Sequence, residues 1–297
     1  MSDFTLPEFF VICGSAILTT FLIFEIFEWT KNFGSFESKK SMSTFGTPSA
    51  WKCLYSEHRY GEEESSVNIK TSLAVVVQSS EPLKWNGYSS KPVIVTMAND
   101  GNTVTVSGFW TPDLRPNITG GPLSEVYDFH SMIFHWGPTD KDGSEHSLDD
   151  VTYPLELQMI HMKHNFHSPF DAIVLGEKHG VAIVSILFQI SEADNKFLDH
   201  VVNNLCRIPS PGSKVCVAPF ALSGFFPLFE KHYYSYSGSM AQESSNELVT
   251  WIVQPEPVNV SPSQMKKFRS VQLTEVPAVL DGKLFERQNE RDLYYQD

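Results

Sequence analysis

The chain has 297 residues, of which 41% are hydrophobic and 19% are charged, and its formal net charge is -13 at pH 7. That length and composition are enough to bury a full core, and we expect one main domain. The acidic balance argues against nucleic-acid binding, which needs a basic surface to displace counterions, and against tight electrostatic binding to anionic lipid. Four cysteines without a C-x-x-C spacing support neither a disulfide scaffold nor a cysteine zinc site.

The N-terminal segment is strongly apolar. Phe9 to Phe24 carries no charge over sixteen residues, which is somewhat short for the ~20 residues of a spanning helix and long for the core of a signal peptide. No basic region precedes it and no convincing cleavage site follows, so residues 1–30 are interpreted as an uncleaved signal anchor that contacts the membrane through residues 9–29. A cleaved signal and a docked apolar helix are the alternatives. Residues 31–50 are rich in Ser, Gly and Lys and are predicted to be a linker, which leaves 51–297 for the domain.

Two signals conflict over which side of the membrane holds the domain. Lys31, Lys39 and Lys40 follow the apolar segment, and the positive-inside rule then favours the cytoplasm. Acceptor sequons for glycosylation begin at Asn117 and Asn259, and they matter only in the secretory lumen. We expect a membrane or secretory protein whose domain is extracellular or lumenal.

The rest of the chain has the pattern of a β-rich domain. Short β-prone segments from residue 65 onward are separated by turn clusters. Gly180 to Ile190 is continuously apolar, as in a strand buried on both faces. Phe197 to Leu205 has helical spacing, and a second short helix is predicted after Ser261, which is followed by Pro262. The expected class is α+β with β dominant.

Cys206 and Cys216 flank a loop rich in Pro, Gly and Ser. They could form one local disulfide, or they could be two ordinary buried thiols, because spacing alone does not establish bridge geometry.

The stretch from Met132 to Lys163 predicts two strands joined by a connection rich in turn residues. Side chains alternate along a strand with period two. Ser131, Ile133 and His135 are therefore expected on one face of the first strand. Glu156, Gln158 and Ile160 are expected on one face of the second.

Eight short segments, in order, resemble the α-class carbonic anhydrases. They are G-G-P-L at 120–123, F-H-W-G at 134–137, G-S-E-H at 143–146, L-E-L-Q-M-I-H at 155–161, H-G-V-A-I at 179–183, Y-S-G-S at 236–239, T-W-I-V at 250–253 and K-F-R at 267–269. The resemblance covers roughly residues 51–292. It implies a single domain built on a large, twisted, mostly antiparallel sheet with a few peripheral helices.

The same resemblance implies a zinc site that this chain lacks. Enzymes of the family hold zinc by two histidines in H-x-H-W-G and a third in E-L-H. Here Ile133 and Gln158 stand at two of those positions, and only His135 is retained. A catalytic zinc needs three protein donors and an open position for water. Because the loss of one outer-shell partner costs about 10 to 100-fold in affinity, losing two ligands should cost well beyond ~10⁴-fold.

Nearby histidines are not expected to substitute. His130 is five positions from His135, and His161 is three from Gln158. Both separations are odd, so regular strands place each on the opposite face. A β-bulge would reverse that expectation.

Other residues that the resemblance implies for the reaction are also changed. Ala241 matches the threonine that orients the zinc-bound hydroxide, and Asn102 matches the proton-shuttle histidine. Ser131 replaces a glutamine that orients the first zinc ligand. Glu145 matches the buried glutamate of the threonine hydrogen bond and is retained.

The resemblance also places several residues around the cleft. Ile160 and Ile183 match valines of the CO₂ pocket and would narrow it, and Trp136 and Trp251 are expected in the same cleft. Glu156 would support the third ligand in the enzymes, and here it is expected to accept from the Gln158 amide.

These observations predict an acatalytic carbonic anhydrase-related protein. It is expected to hold no cofactor and to act as a binding module for an unknown protein partner; its oligomeric state stays open. The alternative is a zinc-dependent carbonic anhydrase with a residual metal site at His135.

Overall fold

A computed structural model describes residues 68–78, 81–238, 248–274 and 292–297. These residues all belong to one unit, Pro48–Asp297. The predicted anchor, the linker and Ala241 lie outside the described residues. Within the described ranges no helix has the length and apolar character needed to span a bilayer.

The described part of the chain is dominated by strands. They are β1 (Asn68–Ile69), β2 (Val75–Val77), β3 (Lys84–Asn86), β4 (Ile94–Asn99), β5 (Val104–Phe109), β6 (Asn117–Gly120), β7 (Leu123–Trp136), β8 (Ser147–Leu148), β9 (Leu155–Lys163), β10 (Val181–Ile190), β11 (Lys214–Val217), β12 (Tyr233–Gly238), β13 (Val249–Val260) and β14 (Tyr294–Gln296).

One large sheet contains twelve of these strands, in the order β11-β4-β5-β7-β9-β10-β13-β12-β14-β2, with β6 pairing β7 and β3. Its pairs are antiparallel except β10 with β13 and β14 with β2. β1 and β8 form a separate parallel pair. The predicted class, β-dominated and mostly antiparallel, is confirmed.

Strand β10 lies inside the sheet, between antiparallel β9 and parallel β13. Its first eight residues are all buried. A strand that is covered on both faces needs apolar side chains at every position. The continuous apolar run at 180–190 therefore correctly predicted a central strand.

Helices are few and short. They are α1 (Pro169–Val174), α2 (Asp199–Val202) and α3 (Pro262–Arg269), with 3-10 turns at Thr71–Leu73, Pro112–Leu114, Lys196–Leu198, Leu205–Arg207 and Leu222–Gly224. The helix predicted over Phe197–Leu205 is wrong as a single element, because it is divided between α2 and two 3-10 turns. Asn203 and Asn204, both weak helix formers, follow α2 directly, and the Asn204 amide donates to the His200 carbonyl at 2.9 Å.

Helix α3 begins as predicted. The Ser261 hydroxyl accepts from the Gln264 backbone N–H, and the Gln264 side chain accepts from the Ser261 N–H. This reciprocal pair satisfies two backbone donors that the first turn would otherwise leave unpaired. The Ser261 hydroxyl also contacts the Asp194 carboxylate.

Ser261→Ala should therefore lower the free energy of unfolding by about 0.5 to 2 kcal/mol, the usual range for loss of a helix cap. Denaturant unfolding measures the change. Asn259→Gln is the matched control, because it removes the same sequon without touching the cap. Equal stability of Ser261→Ala and the control would contradict the capping role.

Cys206 and Cys216 are both free and exposed in the structure. They belong to a 3-10 turn and to edge strand β11. This differs from both interpretations of their sequence, a local bridge and two buried thiols. The Pro, Gly and Ser composition of their loop contains no signal for either outcome.

Candidate functional site

Strands β7, β9 and β10 place the predicted site residues side by side. Ile133 lies directly opposite Gln158, and His135 lies opposite Glu156. Gln158 in turn lies opposite Ser185 on β10. The residues that period-two alternation placed on one face of each strand are therefore neighbours across the two strands.

Glu156 accepts most of the hydrogen bonds on this face. Its side chain is completely buried, and its Oε2 accepts from the backbone N–H groups of Glu145 and His146 at 2.8 and 2.9 Å. Its Oε1 accepts from His146 Nδ1 at 2.8 Å, Ser185 Oγ at 2.8 Å and Gln158 Nε2 at 3.0 Å. Five donors thus replace the water that burial removes from the carboxylate.

The environment keeps Glu156 ionised. Burial alone would raise the pKa of Glu156, but the charge and hydrogen bonds of His146, together with the charge of His135, lower it well below its usual range. His146 extends the network, because its Nε2 lies 2.8 Å from the Tyr236 hydroxyl. The carboxylate is therefore charged over the whole neutral pH range.

Gln158 stands where the family resemblance expects the third zinc ligand, and its amide nitrogen already donates two hydrogen bonds. Its Nε2 donates to Glu145 Oε2 at 2.9 Å and to Glu156 Oε1 at 3.0 Å. The predicted bond to Glu156 is confirmed, and the bond to Glu145 is additional. Gln158 Oε1 is buried and has no hydrogen-bond partner among the described residues.

His135 stands at the one zinc-ligand position where the family resemblance finds a histidine, and it also contacts Glu145. Its Nδ1 lies 3.2 Å from Glu145 Oε1. Its Nε2 is buried and has no partner in the described part of the chain. One carboxylate therefore joins the His135 ring and the Gln158 amide.

Ile133 forms part of an apolar cluster beside this polar network. The cluster consists of Ile133, Ile160, Ala172, Val181, Ile183, Leu248 and Val249, with Phe166, Ile173 and Trp251 packed against it. Ile160, Ile183 and Trp251 thus surround Ile133, as the family resemblance implies for the cleft.

Trp136 was predicted to lie in the cleft, and the structure contradicts that prediction. Its ring packs against Phe268 at a centroid distance of 5.6 Å, within the main core. Trp136 follows His135 directly in β7, so the alternation of a strand places it on the other face. It does not belong with the cleft residues.

The donor set does not fit a catalytic zinc. Ile133 offers only hydrocarbon. The nitrogen of Gln158 is a donor committed to two carboxylates, which leaves a neutral amide oxygen, a poor substitute for imidazole. Among the described residues no group of three His, Cys, Asp or Glu side chains is arranged to hold a metal ion.

His130 lies at the bulge that could have changed this conclusion. The pairing of β7 with β9 shifts between Phe129 and Ser131. His130 Nδ1 nevertheless forms a hydrogen bond with Ser131 Oγ, at 2.9 Å. Burial, and to a smaller extent the charge of Arg115, lower the pKa of His130 to about 4.

His161 lies on the opposite face, as parity predicts. Its side chain is fully buried, its Nε2 contacts the Tyr88 hydroxyl, and Phe129 packs against its ring at 5.7 Å. Burial is the main reason why its pKa falls from 6.5 to about 3. His161 is therefore a neutral core residue at physiological pH.

This buried histidine should make the protein acid-sensitive. The unfolded chain binds a proton on His161 between pH 6.5 and about 3, where the folded chain does not. Its contribution to stability is present above pH 6.5 and is lost as the pH falls through that window, by about 3 kcal/mol between pH 7.5 and 4. Denaturant unfolding at both pH values measures it.

His161→Gln is the control for that prediction, since it keeps a polar partner for Tyr88 but cannot titrate. The variant should lose much less stability on acidification than the wild type. An identical pH dependence in both proteins would show that His161 is not the group responsible.

The remaining predicted residues lie apart from this network. Asn102 is in the turn between β4 and β5, where its backbone N–H donates to Asp100 Oδ1 at 2.9 Å. Asn117 is half-buried on β6 and Asn259 is exposed on β13. Both sequon positions stay candidates for glycosylation.

Sequence reasoning missed two members of the network, Ser185 and Tyr236. Ser185 could have been detected from the sequence of β10, V-A-I-V-S-I-L-F-Q-I. It is the one polar residue among the first eight, which are all buried. A lone hydroxyl in such a run needs a hydrogen-bond partner. Nothing in the local sequence of Tyr236 indicated its contact with His146.

Comparisons with known proteins identify the family. The family model described as eukaryotic-type carbonic anhydrase matches residues 46–292. The chain is 32% identical to carbonic anhydrase 7 of Homo sapiens over 76% of its own length and 83% of that protein. It is 31% identical to carbonic anhydrase 1 of Monodelphis domestica (75% and 83%). It is 30% identical to mitochondrial carbonic anhydrase 5A of Homo sapiens (71% and 67%). The chain belongs to the eukaryotic-type carbonic anhydrase family.

Proposed function

We propose that this chain is an acatalytic member of the carbonic anhydrase family, which does not hydrate CO₂ and acts as a binding module. The observation that carries the proposal is the pair of opposed residues Ile133 and Gln158. A hydrocarbon side chain and an amide already bonded to two carboxylates stand at two positions where metal donors are required. Among the described residues His135 therefore lacks the two further donors that a catalytic zinc needs. The buried network around Glu156 serves the fold, because all five of its donors come from the protein itself.

A hydratase assay tests this proposal. Full-length protein that has been incubated with excess zinc should hydrate CO₂ no faster than the same solution without protein, and an aromatic sulfonamide should not change that rate. Sulfonamide-sensitive hydration by the wild-type protein would overturn the proposal.

A residual zinc hydrolyase is the second candidate. It is favoured by His135 Nε2 and Gln158 Oε1, which have no hydrogen-bond partner within the described ranges. An imidazole nitrogen and an amide oxygen can each donate a lone pair to a metal ion. It predicts metal by elemental analysis and loss of that metal in His135→Ala. Metal-free, inactive wild-type protein would rule it out.

The N-terminal segment and the two sequons bear on where the protein acts and what it binds. We infer that residues 1–30 anchor the chain in a membrane, that 31–50 link the anchor to the domain 51–297, and that the domain meets a protein partner on the extracellular or lumenal side. The sequons at Asn117 and Asn259 support that side. Asn117→Gln and Asn259→Gln should each remove glycan from protein made in a secretory cell, whereas an unglycosylated wild type would argue for the cytoplasm.

A further inference from the structure

Positive charge is concentrated in two segments of this acidic chain. Residues 200–229 and 257–274 contain no Asp or Glu, although the whole chain has 35 acidic residues. The same two segments contain five cations, which are Arg207, Lys214, Lys266, Lys267 and Arg269. Where such segments meet at the surface, they produce a local positive potential on a protein whose net charge is -13.

The two acid-free segments contact each other through these cations. Lys267 Nζ, on α3, donates to Asn203 Oδ1 at 3.1 Å, directly after the end of α2. Arg207 Nη1, in the 3-10 turn that follows, donates to Asn204 Oδ1 at 2.8 Å. Two consecutive asparagines therefore hold Lys267 and Arg207 in one neighbourhood of the surface.

Three of the cations keep their charge available. Arg207, Lys266 and Lys267 are exposed, and none of them forms an ion pair within the described ranges; we call these three residues the basic face. Lys267 and Arg207 each give one N–H to a neutral amide oxygen, and a guanidinium has five N–H donors and an ammonium three. Arg269 differs, because Asp140 neutralises it at 2.7 Å.

The carboxylate of Asp194 borders the basic face without neutralising it. Asp194 accepts from the hydroxyls of Ser261 and Ser263. Those two hydrogen bonds lower the pKa of Asp194, and the charge of Lys267 lowers it to a smaller extent. Lys267 thus attracts a carboxylate at a distance, and its own direct contact is with the Asn203 amide.

The small size of the basic face decides which kind of anion it suits. At ~0.1 M salt, exposed charges more than about 10 Å apart are largely screened from each other. A short acidic peptide on the face therefore responds to its three cations. A membrane or a nucleic-acid duplex extends beyond the face, meets the acidic remainder of the chain, and needs a larger basic surface to displace its counterions.

We propose that the basic face binds an acidic segment of a protein partner through Asp or Glu carboxylates. The Arg207 guanidinium can hold one carboxylate with two parallel N–H groups, and Lys266 and Lys267 each add an ammonium. Because Asn203 and Asn204 already position two of these side chains, binding costs less side-chain freedom. The inference rests on the proposed function as a binding module and supplies the chemistry of its partner.

Fluorescence anisotropy with labelled octaglutamate and the full-length protein tests this inference. Octaglutamate should bind saturably at about 20 mM salt, although the net charge of -13 opposes it. A labelled (Gly-Ser)4 peptide of equal length should not bind. Raising the salt to about 300 mM should weaken octaglutamate binding at least ~10-fold, because contacts between exposed charges are screened.

The triple variant Arg207→Gln, Lys266→Gln, Lys267→Gln should weaken octaglutamate binding at least ~5-fold, since each exposed ion pair contributes about 1.5 to 5-fold. A control variant that removes the same charge outside the basic face should stay within ~2-fold of the wild type. Its substitutions, all at exposed lysines, are Lys84→Gln, Lys91→Gln and Lys231→Gln.

No saturable binding of octaglutamate, or equal losses in the two triple variants, would overturn the inference. Tighter binding to phosphatidylserine vesicles than to octaglutamate, lost in the basic-face variant, would overturn it in favour of a membrane. The hydratase assay separates this inference from the proposed function. Protein that neither hydrates CO₂ nor binds octaglutamate defeats only the inference, whereas sulfonamide-sensitive hydration defeats the proposed function.

Discussion

Ile133→His combined with Gln158→His should raise the zinc affinity of this protein by more than ~10⁴-fold. The two positions are directly opposed on β7 and β9, and His135 shares the face of Ile133. Three imidazoles would then converge on one point, as a tetrahedral zinc with one open position requires. Glu156, already 3.0 Å from the nitrogen of Gln158, remains available to orient the new third ligand. Isothermal titration with zinc, competed against a chelator, measures the gain.

Each single variant is a control for this repair. Ile133→His alone and Gln158→His alone supply two imidazoles and should bind zinc far more weakly than the double variant. Adding His135→Ala to the double variant should abolish the gain. Hydratase activity need not return with the metal, because Ala241 stands where the family resemblance expects a hydroxyl. If the double variant bound zinc no better than the wild type, the correspondence of these three positions with the family site would be wrong.

Glu156→Ala should cost about 3 to 5 kcal/mol of the free energy of unfolding. The substitution leaves two backbone N–H groups, the His146 ring, the Ser185 hydroxyl and the Gln158 amide without their acceptor in a buried site. Each buried donor left unpaired carries a desolvation penalty of about 1 to 3 kcal/mol, and partial relaxation keeps the total below their sum. Denaturant unfolding at pH 7.5 gives the value.

Glu81→Ala is the control for that loss. The Glu81 carboxylate is exposed and lies 3.4 Å from Lys84, so its removal should change stability by less than about 1 kcal/mol. A Glu156→Ala variant as stable as Glu81→Ala would mean that the buried network contributes little to the fold.

The sequence predicted the central part of this site well, because strand parity is a strict geometric rule. Counting by twos placed Ile133 with His135 and Gln158 with Glu156, and the strand register confirms both pairs. The same count correctly assigned His161 to the other face. The bond between Gln158 and Glu156 followed from their positions two residues apart on one face.

The errors have equally physical causes. Trp136 was placed in the cleft by resemblance, although its parity with His135 already contradicted that position. The bulge at His130 was left open as an alternative, because it depends on how β7 fits β9 and no local pattern reports that fit. The helix predicted over Phe197–Leu205 is interrupted because Asn203 and Asn204 end α2. The prediction used the apolar spacing and ignored these two asparagines. The bridge that Glu145 makes between His135 and Gln158 depends on tertiary geometry alone.

Zinc content of the purified wild-type protein tests the central claim most directly. The chain is dialysed against excess zinc, passed through a desalting column and analysed for metal, with the double variant Ile133→His, Gln158→His treated in parallel. We predict zinc far below one equivalent in the wild type and close to one equivalent in the double variant. One tightly held zinc per wild-type chain, lost in His135→Ala, would contradict the account.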